Sequence, residues 1–325
     1  MKGFNAAVRM FLAGVLMITA GSATAQQTYP AKPIRMIVPY PPGGGSDLMG
    51  RLVGQKLLES WGQPVLIDNR GGGNTIIGTE ALVKSPPDGY TIFLTASPLA
   101  VLPHLYRSLP YDTLKDIAPV ATFAIAAQVF VVNPSVAAAN LQEFIALAKA
   151  KPGQLNFASS GSGGPAHLAG ELFNLMTGVQ MQHIPFKGTA QALTALISGD
   201  VQVFSIGPMT VIPHIKAGRL RAVAITGENR LAALSQVPTF AEAGLPGFDL
   251  ETWYGIVAPA GAPKSIITRL SAEIGRAALL PDFKEKLEAQ GMRPYITTAE
   301  QFTELLKSDL AKYGKIVKAG NIKIE

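Results

Sequence analysis

The chain has no cysteine among its 325 residues. That excludes a disulfide framework, a zinc–thiolate site, a thiol nucleophile and a lipid-modified N-terminal cysteine. Charge is sparse too, at 15% of residues, and Lys and Arg are scattered rather than clustered. Nucleic acid is therefore not an expected partner. There are four histidines, His104, His167, His183 and His214, and none stands at metal-ligand spacing from another. The P-loop pattern G-x-x-x-x-G-K-[ST] and the hydrolase elbow G-x-S-x-G are both missing. After the first residues, no apolar run approaches the roughly 18 residues that a membrane helix needs. These absences remove most cofactor and covalent chemistries, and neither a metal nor a cofactor is expected.

What is present begins with an export signal. Lys2 and Arg9 precede the apolar run Met10 to Ala20, and Ala23-Thr24-Ala25 supplies a small-residue cleavage site. Residues 1–25 read as a secretory signal peptide cut after Ala25, and the mature protein as exported and not embedded in a membrane. Its removal leaves 26 basic against 22 acidic residues, a net charge of +4 that suits anionic small molecules or simply solubility. About 300 mature residues, 48% of the full chain being hydrophobic, predict two domains.

The chain is organised around Pro39-Tyr40-Pro41-Pro42-Gly43-Gly44-Gly45-Ser46-Asp47. This stretch lies between the apolar run Ile34 to Val38 and an amphipathic segment, Leu48 to Ser60. The pattern is strand, glycine loop, helix, with Ser46 or Asp47 placed to cap the helix and its free N–H groups facing the loop. One such loop is equally an ordinary βα turn. A second follows the strand Leu155 to Ser159, where Ser160-Gly161-Ser162-Gly163-Gly164-Pro165 opens another helix. Strands at 64–68, 90–95, 182–186, 201–205 and 221–225 alternate with helices, which predicts βαβ units and parallel sheets. Ala96-Ser97-Pro98 should lie at the ligand-binding carboxyl edge of the first sheet.

The nearly uncharged run Ile117 to Asn133 reads as a buried strand leaving the first unit, and Glu251 to Val257 as one returning to it. Domain 1 is thus expected to be discontinuous, residues 26–125 with 250–325, and domain 2 to be residues 126–249. Two crossings would form the hinge.

Gly161-Ser162-Gly163-Gly164-Pro165-Ala166 also fits a dinucleotide fingerprint, but the next strand ends in Lys187 rather than an acid that could hold a ribose. Ser162 and His167 together suggest a secreted serine hydrolase as the alternative reading, without the elbow spacing that chemistry uses. An effector domain of a transcription regulator would need an N-terminal DNA-binding helix pair where the signal peptide stands. Two glycine loops at helix starts, with hydroxyls nearby, suit instead a clamshell that grips a carboxylate through backbone N–H groups, with no catalytic residue.

Several segments resemble the Bug-type receptors of tripartite tricarboxylate transporters. They are Tyr29-Pro-Ala-Lys-Pro-Ile-Arg35, Ile37-Val-Pro-Tyr-Pro-Pro-Gly-Gly-Gly-Ser-Asp47, Pro86-Pro-Asp-Gly-Tyr90 and Gly161-Ser-Gly-Gly-Pro-Ala-His-Leu168, continued by Pro185-Phe-Lys-Gly188, Val237-Pro-Thr-Phe-Ala-Glu-Ala-Gly-Leu-Pro-Gly247 and Trp253-Tyr-Gly-Ile-Val-Ala-Pro-Ala-Gly-Ala-Pro-Lys264. The resemblance implies an α/β type II periplasmic-binding-protein fold. It implies that both glycine loops hold a carboxylate, partly through ordered water, and that the receptor, usually a monomer, delivers it to a two-subunit membrane permease. The candidate ligand-binding residues are Tyr40, Gly43, Gly44, Gly45, Ser46 and Asp47 in the first loop and Ser97 at the sheet edge. In the second unit they are Ser159, Ser162, Gly163, His167, Thr189 and Ser205. The chain departs from the family in having Phe186 where tyrosine is usual. It has Ser205-Ile206 where amino-acid-binding members carry an acid, so a carboxylate without an ammonium group is the expected ligand.

Overall fold

The structure, a computed structural model, describes residues 29–322, so the signal peptide and its cleavage site lie outside the described residues. Chain order begins β1 (Ile34–Val38), α1 (Gly45–Trp61), β2 (Val65–Asn69), α2 (Ile76–Val83), β3 (Thr91–Ala96), α3 (Pro98–Leu105) and β4 (Ile117–Ala126). A second unit holds β5 (Val129–Val132), α4 (Leu141–Ala150), β6 (Asn156–Ser159), α5 (Pro165–Thr177), β7 (Gln182–Pro185), α6 (Thr189–Ser198), β8 (Val203–Ile206), α7 (Pro208–Lys216) and β9 (Arg221–Ile225). The chain then returns through β10 (Thr252–Pro259), α8 (Lys264–Ala278), α9 (Pro281–Glu288), β11 (Met292–Pro294) and α10 (Ala299–Ala319).

The strands form two sheets, ordered β11-β4-β10-β3-β1-β2 and β7-β6-β8-β5-β9. Within the first, β1 runs parallel to β2 and β3, while β10 is antiparallel to both β3 and β4. In the second, β6 is parallel to β7 and β8, and β5 is antiparallel to β8 and β9. This is the expected two-domain α/β fold. The uncharged run from Ile117 is two strands rather than one, β4 in the first sheet and β5 in the second, with only Ala127 and Gln128 between them. Beside them the N–H of Gln128 donates to the Thr226 hydroxyl (2.8 Å) and the N–H of Thr226 to the Gln128 carbonyl (2.9 Å).

Helices cover both faces of each sheet. The apolar stripe Leu52, Val53 and Leu57 of α1 packs with Leu270 and Ile274 of α8 and Phe283 of α9 against Ile34, Met36 and Val38. Each such side chain removed from water contributes about 1.5–3 kcal/mol. Leu82 of α2, Leu99 of α3 and Phe302 of α10 cover the opposite face. In the second unit Phe130 gathers Phe144, Phe173 and Phe240 at ring separations of 4.9–5.9 Å. Helix α5 sits tightly on its sheet because residue 170 is glycine: a Cβ there would stand 2.1 Å from the Phe157 ring. That approach fixes the start of α5 beside the end of β6. Helix α4 starts as the sequence predicts, with Asn140 accepting the Glu143 N–H (2.9 Å).

Candidate functional site

Strands β1 and β6 both end at a cleft of about 430 Å³ between the two units. Pro39, Tyr40 and Pro41 border it from the first glycine loop, and the whole stretch Ser160 to Gly164 from the second. The remaining wall comes from Gly72, Asn74 and Thr75 and from the Pro98, Val101, Leu102 and Leu105 face of α3. Of the expected site residues, Tyr40, Ser162 and Gly163 are brought together at this cleft.

Others stand behind it and hold its shape. Asp47 is buried and accepts three hydrogen bonds, from the Gly43 N–H (2.9 Å), Arg51 Nε (2.9 Å) and Asn69 Nδ2 (3.0 Å). Asn69 Nδ2 also donates to the Tyr40 carbonyl (3.0 Å), so Asp47 sets the path of the first loop through Asn69. The hydrogen bond from Arg51 leads the effects that hold its carboxyl at about 2, against the cost of burial. With its donors already in place, Asp47 is an acceptor for the loop. This corrects the capping expectation: the N-cap of α1 is Gly44 with no side-chain bond, and the Gly43 N–H goes to Asp47. Gly43, Gly44, Gly45 and Ser46 are not in the cleft wall. Gly44, with φ −81° and the nearest atom 3.8 Å from an added Cβ, has no backbone need for glycine.

In the second loop, His167 Nδ1 accepts the Gly163 N–H (3.0 Å), which takes that amide away from any ligand. The His167 ring stacks on His183 at 3.5 Å and 12°. His183 Nε2 lies 2.6 Å from Ser159 Oγ, which also bonds to the Gly161 carbonyl (2.9 Å). Burial, and then the neighbouring His167, push His183 down to about 4, so it is neutral near pH 7. Pro165 begins α5 as the sequence predicts. Among the described residues, the amides of Ala166 and His167 have no acceptor at the end of α5 that meets the cleft.

Ser97 is buried one layer below, where its hydroxyl accepts the Trp253 N–H (3.0 Å). Thr189 is exposed at the start of α6 and is not in the wall. Ser205 is also absent from the wall, and its buried hydroxyl has no partner among the described residues. The Ser162–His167 hydrolase arrangement does not form, since His167 Nδ1 is bonded to the Gly163 amide and Ser162 Oγ makes no bond to the ring. Ser159 meets an imidazole but is 0% exposed, out of reach of a substrate carbonyl.

Asn74 and Thr75 are wall residues that no motif in the sequence singles out. Both have left-handed backbone, φ 51° and 77°, at consecutive non-glycine positions in the cleft wall. For β-branched Thr75 this is a genuine outlier, costing about 1–2 kcal/mol. Strain of this kind persists where surroundings over-determine a ligand-facing segment. We predict that Thr75→Gly raises stability by about 1 kcal/mol, after the extra entropy a glycine loses, while weakening ligand affinity roughly tenfold. Urea melts and titration calorimetry on the same samples check both halves; a variant that is both more stable and an equally good binder sinks the idea. The glycine run Gly71 to Gly73 was the one sequence signal available for this segment.

Residues 49–322 match the family described as "Tripartite tricarboxylate transporter family receptor". The chain belongs to that family. It is 39% identical to Protein BugT of Bordetella pertussis over 316 residues, covering 96% of this chain and 97% of BugT. Among solved structures it is similar to R. palustris Rpa4515 with adipate, at TM-score 0.75 and 30% identity, covering 91% of this chain and all of that one. MatC from Rhodopseudomonas palustris with bound malate gives TM-score 0.69 and 26% identity, covering 89% of this chain and all of MatC. The receptor fold is thus common to this family member and to proteins solved with small carboxylates.

Proposed function

We propose that the protein is a periplasmic receptor that closes on a small carboxylate and delivers it to a two-subunit membrane permease. In this reading residues 1–25 are removed on export. Residues 26–125 with 250–325 and residues 126–249 then move as two lobes, and the receptor works as a monomer without catalysis. The observation that carries the reading is that segments following β1 and β6, one from each sheet, border a single cleft. Free amides at the start of α5 supply an anion-binding end that needs no arginine. The carboxylates solved with similar receptors support the ligand class.

A ligand that binds only the folded receptor, supplied at 100 times its Kd, stabilises it by about 2.7 kcal/mol. For a chain of this size that is a rise of about 4 °C in melting temperature. A thermal-shift screen of mono-, di- and tricarboxylates is the test, and no shift with any of them would defeat the proposal.

A further inference from the structure

The cleft wall contains no charged side chain among the described residues. In the receptor reading its anion-binding end is the Ser160–Gly164 loop that leads into α5, and the wall supplied by α3 is apolar: Pro98, Val101, Leu102 and Leu105. Helix α3 has no polar stripe to turn toward the ligand: its one polar side chain, His104, is exposed and is not in the cleft wall. The one side-chain amide in the lining, Asn74 Nδ2, already donates to the Tyr106 hydroxyl (2.8 Å). A second carboxylate lying along α3 would lose water and gain no cation, and an ammonium would meet no acid.

We infer that the cleft is built for a monocarboxylate with a compact apolar body, an aromatic ring or a branched chain, whose carboxylate faces the second loop and whose body lies on Val101, Leu102 and Leu105. This rests on the receptor reading above and narrows it. A cleft of about 430 Å³ holds such a body with room for ordered water at the loop. Sharing Val101 and Gly163 with the cleft, a pocket of about 20 Å³, lined further by Leu168, Leu250 and the hydroxyl-bearing Thr252 and Tyr313, has space for about one methyl group. A methyl substituent on the body is accordingly expected to strengthen binding.

Titration calorimetry on the full mature chain, with acetate, benzoate, 4-methylbenzoate, malate, adipate, citrate and aspartate, tests this. Benzoate should bind about 100-fold tighter than acetate, from the ring area removed from water. Malate, citrate and aspartate should bind at least about tenfold more weakly than benzoate. Val101→Thr keeps side-chain size but replaces a methyl by a hydroxyl, and should weaken benzoate about tenfold more than it weakens acetate, with a cooperative melt retained. If malate, adipate or citrate binds more tightly than benzoate, or if Val101→Thr leaves the benzoate-to-acetate ratio unchanged, the inference is overturned and the carboxylate receptor stands. If no carboxylate binds, both fall.

Discussion

Replacing Gly163 by valine is expected to cost two to four orders of magnitude in carboxylate affinity. The backbone at Gly163 has φ +77°, a region closed to β-branched residues without strain of about 1–3 kcal/mol. A valine therefore moves the loop rather than fitting into it. Moving it breaks the bond from the Gly163 amide to His167 Nδ1 and turns the segment that opens α5 away from the cleft. Two lost hydrogen bonds to a carboxylate, at about 1.5–3 kcal/mol each, give that range of affinity. Gly44→Ala is the matched control: its φ of −81° suits any residue, and it should leave affinity within about twofold. Both variants should melt cooperatively, because the strain is confined to a loop. Calorimetry showing Gly163→Val binding as well as the parent protein would mean that the second loop does not hold the ligand.

The second large effect is in the pH dependence of stability, where a buried carboxyl and a half-buried imidazole oppose each other. Burial pushes the Glu251 carboxyl up to about 7, against the pull of Arg293 at 2.8 Å and helped by Asp249 and Glu228. These groups share a cavity with Asp309 and Lys312. As pH rises from the usual 4.5 to 7, the unfolded chain has released this proton while the folded one still holds it. Stability therefore falls across that window, by about 3 kcal/mol in total.

His183 has the reverse sign. Its folded value of about 4 lies below the ordinary 6.5, so between those limits the unfolded chain binds a proton that the folded one refuses. Its contribution is present above pH 6.5 and is lost as pH falls, and it is smaller than that of Glu251 because the half-buried ring is partly screened by solvent. Between about pH 4.5 and 6.5 the two slopes partly cancel, which reduces the pH dependence that the parent protein shows from this pair. Glu251→Gln should uncover stability that rises with pH by up to about 1.4 kcal/mol per unit, and His183→Asn the opposite slope. Urea melts at pH 5.0, 5.5 and 6.0 decide the matter, and flat profiles in both variants would remove the opposing pair.

The course of the chain was legible wherever its pattern is local. Strands Ile34–Val38 and Arg221–Ile225 and the start of α4 at Asn140 are settled by alternation, turn residues and a capping side chain within a few positions. Helix α3 was not. It is buried on most sides and contains Pro103, so it has neither an amphipathic period nor a clean helix composition. That same burial makes it the apolar wall of the cleft.

The Asp47–Arg51 pair could be read from its spacing, whereas the link to Asn69, 22 residues away, depends on β2 lying beside β1. The stacked His167 and His183 likewise meet because parallel pairing sets His183 opposite Phe157, beneath the first turns of α5. Glycine loops point to where a ligand is held. Which of their amides are free is decided by residues far along the chain.

The bonded pair Gln128 and Thr226 has a mechanical consequence. Strands β4 and β10 pair in the first sheet and β5 and β9 in the second, and the Gln128–Thr226 bonds carry the β5–β9 pairing one residue past Val129 and Ile225. Paired backbone of the second sheet therefore reaches to within one residue of β4, which ends at Ala126. In the closing receptor proposed above, a bend along this crossing would be confined to Ala127, a pivot one residue long that would return the second glycine loop to α3 in the same register.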